Sequence, residues 1–542
     1  MRIPILILAG LVIFRAWLFL NYYLVRDVYF YSDDAIYAIL AGRLLRGDLW
    51  TGFHPIWNPG FPLITIPFYL ITQSFEKAQI IVSMVSATLL PLAMFWTLKR
   101  FSIRLALVSA FLIVFAAGLQ RFVTSEGISE PFFILLMWVS VSFGWLYLTT
   151  ERLRYVILSG IFFGLTYLTR TDIVGIFAAF FLIVLIKAFK KVKTRKQAVS
   201  ALGKIVIFLG AFWLVNLPYI SVVSAQVGGF TLSGKYAMVG SYYPFQINKT
   251  GSTFMQDVDS VDYPNFKSVY FDKYKTVSYV YQEFRKGSIF HFARDTFQGI
   301  LKIFYTDSKN FFSGIGIWLA ATGLILGVLD RRLRRFTTYL LLLWLSEILW
   351  ITFFMAPLSR YLSFSYPFFF CMQAVAITLI SLKGGNWICK IFQVKKDYIN
   401  ILSTGLVLMF LGLFVFQNFK VMDFYNPKPD KRNLSNKKIG EWIKSQDIRV
   451  IGARFEAIGY YGNAKTIYIP AAKPYEIVDY MKRWGVEYFF IHPSEAGDDY
   501  VRPITKPDFS HPDLELVKIF EDGTLTWKVN LTPEEREGNL RK

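Results

Sequence analysis

The stretch YSDDAIYAILAGRLLRG, residues 31–47, places two adjacent carboxylates, Asp33 and Asp34, just after a long apolar stretch at the N-terminus. Acidic residues in the first turn of a helix interact favourably with its dipole, by about 0.3–1 kcal/mol each. The pair could therefore serve only the short amphipathic helix that we predict over 33–46. Carboxylates beside an apolar stretch could equally carry chemistry, and the rest of the chain favours that second interpretation.

The composition is that of a membrane protein. The 542 residues are 54% hydrophobic, with a mean hydropathy of +0.40 and 53 Phe, 31 Tyr and 14 Trp. A polytopic membrane protein can bury that much apolar surface in lipid, whereas a soluble domain cannot. The net charge of +21 arises from short basic clusters between apolar runs. We expect membrane lipid around the chain and no nucleic-acid partner, because no basic stripe on a soluble fold is visible.

Apolar runs predict an all-α polytopic domain over residues 1–418. A helix needs roughly 20 apolar residues to cross a bilayer core of about 30 Å. About eleven such spans lie near 3–24, 77–98, 105–123, 129–149, 155–169, 173–189, 202–223, 309–329, 337–355, 362–382 and 398–418.

Basic connectors predict the orientation. The strongest are KAFKKVKTRK (187–196), DRRLRR (330–335) and KGGNWICKIFQVKK (383–396). The positive-inside rule assigns them to the cytoplasm. Alternation then gives a multi-pass plasma-membrane protein with a cytoplasmic N-terminus and outer loops over 25–76 and 224–308.

The apolar segment 58–75 is predicted to be re-entrant or interfacial. If it crossed the membrane, the basic connector LKRFSIR (98–104) would lie outside. Its three prolines also interrupt helix hydrogen bonding. Irregular backbone at membrane depth must be shielded by protein or line a water-filled cavity.

Residues 419–542 differ in character from the rest. Helix-like and strand-like patterns alternate there, and VKIFEDGTLTWKV is typical of a hairpin around Asp522 and Gly523. We predict a soluble extracytoplasmic α/β domain.

With this topology, the candidate site residues all lie at the outer membrane edge. They are Asp33, Asp34 and His54 in the first loop, Glu130 before the fourth span, Arg170 and Asp172 before the sixth, and Arg360 and Tyr361 before the tenth. Ionisable groups at membrane depth are costly and tend to be functional.

Each residue also has a structural explanation. Glu130 and Asp172 could be first-turn helix acids, and Arg170 could simply neutralise Asp172. Arg360 could extend to lipid headgroups and Tyr361 could belong to the aromatic belt.

Together these residue types point to a lipid-linked phosphate. Carboxylates act as general bases or hold divalent cations. Arginines bind phosphate through paired hydrogen bonds. A phosphate whose tail lies in the membrane, attacked from the aqueous side, requires both.

Five motifs resemble, in order, the glycosyltransferase C (GT-C) superfamily. They are SDDAIYAILAGRLLRGDLW, NPGFPLITIPFYLI, SEPFFILLMWV, GLTYLTRTD and SRYLSFSYPF, within residues 1–382. The most similar branch is that of dolichyl-phosphate-mannose protein mannosyltransferases and aminoarabinose transferases. The resemblance implies the GT-C fold and transfer of a hexose or pentose, with inversion, from a polyprenyl-phosphate donor. The acceptor would be a protein, glycan or lipid on the outer face.

The resemblance also implies residue roles. Asp33 matches the catalytic Asp and would be the general base, with Asp34 as its electrostatic or metal-binding neighbour. Glu130 would position the acceptor or a cation, so that Asp34 and Glu130 could together bind Mg²⁺ or Mn²⁺. Arg170 and Arg360 would hold the donor phosphate.

Asp172, Tyr361 and His54 complete the predicted substrate-binding set. The family usually has Asp-Glu where this chain has Asp-Asp, and the WWDYG signature of oligosaccharyltransferase catalytic subunits is absent. That absence argues against the oligosaccharyltransferase branch.

Two other classes of protein remain open at this point. A transporter or flippase would also have about eleven spans, but it should show internal repeats and polar residues near the midplane. No repeat is visible. A non-catalytic membrane scaffold could use the outer domain alone.

Overall fold

The computed structural model of the chain describes residues 2–23, 29–30, 33–116, 118–119, 128–190, 192–227, 229–232, 293–294, 297–302, 316–354, 359–393, 395, 398–424, 431–454, 456–469, 474–493 and 502–533. The predicted outer loop 224–308 lies largely outside these residues.

The described residues are mostly helical. The helices up to residue 227 are α1 (Arg2–Tyr23), α2 (Asp33–Leu45), α3 (Leu49–Gly52), α4 (Gly60–Thr72), α5 (Phe75–Leu98), α6 (Ile103–Val114), α7 (Glu130–Thr150), α8 (Leu153–Thr169), α9 (Val174–Phe189) and α10 (Arg195–Val227). Those after it are α11 (Gly316–Leu329), α12 (Arg334–Phe354), α13 (Ser365–Ile391), α14 (Ile399–Phe424), α15 (Lys431–Ser445), α16 (Glu456–Gly462) and α17 (Pro474–Arg483).

A described helix lies at each predicted span. Within the described residues, seven stretches are long and apolar enough to cross a membrane: Ile3–Leu20, Phe75–Leu98, Glu130–Thr150, Thr171–Phe189, Arg195–Gln226, Ser365–Ile391 and Ile399–Asn418. Large apolar side chains on these and neighbouring helices face outward, as with Leu214 (76% exposed) and Trp318 (73%). The multi-pass membrane architecture is confirmed, and the count of eleven spans stays a prediction.

The third predicted span, 105–123, is shorter as a helix than the sequence suggests. Helix α6 ends at Val114, where the buried side chain of Arg15 reaches its last carbonyls. The Arg15 Nη1 donates to the carbonyls of Ile113 and Val114, the latter at 2.6 Å. Terminal carbonyls have no partner within their own helix, and this arginine supplies one.

The chain divides into two compact units. One comprises Met1–Arg26, Lys77–Pro218 and Phe292–Asn426, and the other Asp27–Glu76, Tyr219–His291 and Pro427–Lys542. The second unit thus groups the first outer loop with the C-terminal segment. The domain division at residue 418 stays a prediction.

In the first unit, small residues let helices approach closely. Helix α11 packs against α13 so tightly that a Cβ on Gly323 would overlap the Met372 carbonyl. A Cβ on Gly160 of α8 would lie 2.6 Å from the Phe208 carbonyl oxygen of α10. Such contacts favour helix association in lipid, where apolar burial alone provides little driving force.

In the second unit, the first outer loop is helical. The predicted amphipathic helix is α2, and the proline-rich segment 58–75 forms α4. Pro59 occupies the N-cap of α4 and Pro62 lies in its first turn, where no N–H is needed; only Pro67 lies inside the helix. The interfacial position of α4 stays a prediction.

The C-terminal segment contains the predicted α/β fold. Strands β1 (Val450–Ala453), β2 (Lys465–Tyr468), β3 (Tyr488–Ile491), β4 (Leu514–Ile519) and β5 (Leu525–Val529) form one sheet in the order β2-β1-β3-β5-β4. β1 is parallel to β2 and β3, and β5 is antiparallel to β3 and β4. The β4–β5 hairpin turns at Gly523 with φ +88°, which confirms the predicted turn.

Alternating side chains bury both faces of this sheet. Phe490 of β3 packs with Ile439 and Ile443 of α15. Its neighbour Phe489, also of β3, packs on the other face in one core with Met481 of α17. Period-two alternation along a strand produces this arrangement.

Candidate active site

A buried ionic cluster forms where α8 ends and α7 begins. Arg170 closes α8 with an extended backbone (φ −154°, ψ 131°), and a single 3-10 turn, Thr171–Ile173, follows it. Its Nη1 donates to Glu130 Oε1 at 2.5 Å. Its Nε and Nη2 donate to Asp172 Oδ2 at 2.8 and 2.5 Å. The three side chains are 4%, 1% and 2% exposed, so the loops before the fourth and sixth spans do meet.

Aromatic rings extend this cluster towards the loop before the tenth span. The Arg170 guanidinium carbon lies 5.5 Å from the centre of the Tyr361 ring and 5.7 Å from that of Phe133. Arg360, which is partly buried, lies 5.7 Å from the same Tyr361 ring. Cations over aromatic faces are attracted by the ring quadrupole. The structure therefore brings together Glu130, Arg170, Asp172, Arg360 and Tyr361.

The contacts of Arg170 favour a positioning role. An arginine has five N–H donors, and its Nε, Nη1 and Nη2 all donate to carboxylates here. Removing one partner of a buried ion pair typically costs about 3–5 kcal/mol. The cluster is thus well suited to fix the position of Tyr361. Phosphate binding by Arg170 stays a prediction.

Glu347 belongs to the same region, and the sequence analysis missed it. This fully buried carboxylate lies on α12, and its Oε2 accepts the N–H of Ile176 in the first turn of α9 at 2.9 Å. A Cβ on Gly175 would lie 2.8 Å from the same oxygen, so only glycine allows this approach. The sequence does carry a signal for this residue, because LLLLWLSEILWITFF (340–354) is an apolar run with a single acid. An ionisable residue in such a run is costly and tends to have a specific role.

The acidic pair belongs to the second unit. Asp33 and Asp34 are the first two residues of α2. Asp34 is 2% exposed, and its Oδ1 accepts the N–H of Ala35 at 2.9 Å. Asp33 is partly exposed. Asp34 therefore contacts its own helix, whereas Asp33 is the more accessible carboxylate.

His54 shapes the loop FHPIWNP. Its ring is fully buried, and Nδ1 accepts the N–H groups of Ile56 at 3.0 Å and Trp57 at 3.1 Å. The Tyr219 hydroxyl donates to the His54 carbonyl at 3.1 Å. Burial, with the charge of Arg43 adding to it, lowers the pKa of His54 well below its ordinary value. The ring is therefore neutral with its proton on Nε2, and substrate binding by His54 stays a prediction.

The two predicted metal ligands are already engaged by protein groups. Glu130 gives Oε1 to Arg170, and Asp34 gives Oδ1 to the α2 backbone. Among the described residues, no group of three or more His, Cys, Asp or Glu side chains is placed to hold a metal ion. A guanidinium competes with a cation for the same carboxylate, so Glu130 does not fit the role, and we derive no step through a metal.

The fold is of the GT-C type. No family model matches the chain, and no curated protein matches it. Several solved structures match the chain. ArnT from Cupriavidus metallidurans bound to undecaprenyl phosphate is 11% identical, with a TM-score of 0.57, and the match covers 96% of this chain and 97% of that one.

A second match is the archaeal oligosaccharyltransferase AglB from Archaeoglobus fulgidus, in complex with an inhibitory peptide and a dolichol-phosphate. It is 11% identical with a TM-score of 0.55, over 92% of this chain and 71% of that one. An Archaeoglobus fulgidus oligosaccharyltransferase tethered with an acceptor peptide is 14% identical with a TM-score of 0.55, over 90% of this chain and 69% of that one. At these identities the likeness is one of fold.

Proposed function

We propose that this protein is a membrane glycosyltransferase that transfers a sugar from a polyprenyl-phosphate donor to an acceptor on the outer face. The observation that carries the proposal is the fold shared over nearly the whole length of ArnT, whose matching structure holds undecaprenyl phosphate. The AglB structure with the same fold holds dolichol-phosphate. Arg360, which lies over the Tyr361 ring beside the ionic cluster, supports the proposal, because a guanidinium is suited to bind a phosphate.

Arg360 is the donor-phosphate ligand in this proposal. Its planar guanidinium can bind two phosphate oxygens at once, which a lysine cannot do. Both Arg360 and the buried Arg170 lie over the Tyr361 ring, so the ionic cluster holds the ring that Arg360 contacts. Glu130 and Asp172 act through Arg170 as positioning residues.

An apolar cavity provides room for part of the polyprenyl tail. It has a volume of about 310 Å³ and is lined by residues of α11, α12 and α13, including Ala321, Trp344 and Phe368. Phe368 is the fourth residue of α13, which starts shortly after Tyr361. A donor with its phosphate at Arg360 could therefore place its first isoprene units in this cavity.

Asp33 is the general base. It removes the proton from the acceptor hydroxyl as that oxygen bonds to the anomeric carbon. The bond from this carbon to the phosphate oxygen breaks, and polyprenyl phosphate leaves with the electron pair. Attack opposite the leaving group inverts the anomeric centre. General-base catalysis typically contributes about 10²–10⁴-fold to the rate.

The orientation follows from the basic connectors: the N-terminus is cytoplasmic, and both Asp33 and the C-terminal segment are extracytoplasmic. The acceptor is a protein, glycan or lipid on that side. A divalent cation at Asp34 stays a prediction, for which partial rescue of an Asp34→Asn variant by excess Mg²⁺ or Mn²⁺ is the test.

The direct test is sugar transfer by the purified full chain in lipid nanodiscs. Polyprenyl phosphates carrying different radiolabelled hexoses and pentoses would be supplied with candidate acceptors. We expect release of polyprenyl phosphate and label in an acceptor with one donor. If the protein instead moved the intact lipid-linked sugar across liposomes without cleaving it, the flippase alternative would hold.

A further inference from the structure

The backbone that leads into the acidic pair is held by the C-terminal segment. The Tyr461 hydroxyl, on α16, accepts the N–H of Phe30 at 2.8 Å. Asn433 of α15 donates from Nδ2 to the Tyr29 carbonyl at 3.3 Å. Both contacts join parts of the second unit that are more than 400 residues apart in sequence. They end three residues before Asp33.

Side-chain packing reinforces these two hydrogen bonds. The Phe30 ring is 1% exposed and lies 4.9 Å edge-on from the Tyr460 ring and 6.1 Å from the Tyr461 ring. The Lys437 Nζ lies 4.9 Å from the centre of the Tyr29 ring. Tyr29 and Phe30 therefore contact side chains of both α15 and α16.

Helix α2 itself rests on the same surface. Ala35 and Ala38 form one core with Ala457 of α16 and with Phe30. Small side chains on both helices allow the close approach, and Ala35 is in the first turn of α2, next to Asp34. The C-terminal segment thus contacts the start of the helix as well as the chain before it.

We propose that the C-terminal α/β segment is a positioning element for Asp33, with the Tyr461 hydroxyl as its principal contact. This inference rests on the proposed function, in which Asp33 is the base. A buried backbone N–H must find an acceptor, and Tyr461 is the acceptor for Phe30. Holding this N–H holds the backbone three residues before Asp33 and so restricts where the Asp33 carboxylate can reach.

The Tyr461 hydroxyl stays neutral under all working conditions. Burial is the main cause of its raised pKa, with the nearby carboxylates of Glu76 and Asp34 adding to it. Tyr461 is consequently a stable acceptor for the Phe30 N–H and does not itself exchange protons with the acceptor substrate. Its role is positioning.

The test compares two neighbouring tyrosines in the full chain. Tyr461→Phe removes only the hydroxyl, and Tyr460→Phe is the matched control because it keeps the ring that packs on Phe30. A misplacement of about 1 Å can cost on the order of 100-fold in rate. We expect kcat for sugar transfer to fall about 10- to 100-fold in Tyr461→Phe, with the donor KM unchanged, and to stay at the wild-type value in Tyr460→Phe.

Amide hydrogen exchange over residues 29–36 provides a readout that needs no activity. We expect faster exchange in Tyr461→Phe, a smaller increase in Asn433→Ala, and no change in Tyr460→Phe. Wild-type exchange and kcat in Tyr461→Phe would overturn the inference, as would equal losses in both tyrosine variants. If the wild-type protein showed no transferase activity, the proposed function would be refuted. Amide hydrogen exchange would then still report whether Tyr461 holds residues 29–36.

Discussion

The two adjacent aspartates are equivalent in sequence but not in structure. Asp34 is buried and accepts a backbone N–H of its own helix, whereas Asp33 is partly exposed. A general base must reach a substrate hydroxyl, so exposure favours Asp33. The helix-dipole explanation of the pair therefore applies best to Asp34, and the catalytic one to Asp33.

This difference predicts a ranking of variants. Asp33→Asn keeps the size of the side chain but cannot take a proton, so turnover should fall about 10²–10⁴-fold with the fold intact. Asp34→Asn should reduce turnover less and should cost local stability of about 0.3–1 kcal/mol. Transfer rates and thermal unfolding of both variants provide the measurement. Near-wild-type transfer by Asp33→Asn would mean that the pair serves only the helix.

The two arginines of the ionic cluster should also behave differently. Arg360→Lys keeps the charge but loses the planar fork, so we expect a raised KM for the lipid donor and an unchanged unfolding temperature. Arg170→Lys loses buried contacts to Glu130 and Asp172 and should lower the unfolding temperature. Steady-state kinetics and thermal unfolding separate the two effects. An unchanged donor KM in Arg360→Lys would leave Arg360 with a headgroup-anchoring role.

At the scale of elements, long apolar runs were sufficient to predict where helices lie. The convergence of Glu130 with Arg170 was also predictable, because basic connectors assigned both to one face. The contact of Arg15 with the end of α6 was not, since it joins residues about 100 positions apart. Contacts such as Tyr461 with Phe30 arise only from tertiary packing, which no local pattern encodes.

Glu347 predicts a stability effect on the start of α9. Glu347→Ala removes the acceptor for the buried Ile176 N–H and should cost about 1–3 kcal/mol. Glu347→Gln retains a carbonyl oxygen of the same reach and serves as the matched control. Unfolding in detergent measures both variants. Equal stability of Glu347→Ala and the wild type would show that this contact does not hold the helix.

The apolar cavity among α11, α12 and α13 predicts a dependence on donor chain length. Ala321 lines the cavity, and Ala321→Phe should fill it and raise KM for long-chain donors more than for short-chain ones. Ile325→Phe, on the same helix at a position 61% exposed, places the same aromatic ring outside the cavity and is the control. Donor kinetics with polyprenols of two lengths give the measurement. Equal effects of both substitutions at both lengths would exclude the cavity as the tail site.

At the scale of the whole molecule, the proposed chemistry requires one orientation of the chain in the membrane, and the basic connectors predict which one. The basic connector at 187–196 should face the cytoplasm, whereas the first outer loop and the C-terminal segment should face outward. The two native cysteines are buried, so a thiol reagent should report only on introduced cysteines. The proposed chemistry depends on this arrangement because donor, base and acceptor must share a side.

Cysteine labelling in intact cells tests that orientation directly. Arg46→Cys, Ser510→Cys and Lys193→Cys all replace exposed residues. We expect a membrane-impermeant reagent to label positions 46 and 510 in intact cells and position 193 only after permeabilisation. Labelling of 510 but not 46 would separate the acidic pair from the C-terminal segment and would contradict the contacts through Tyr461. Labelling of 193 alone would invert the topology, and the acceptor would then have to be cytoplasmic.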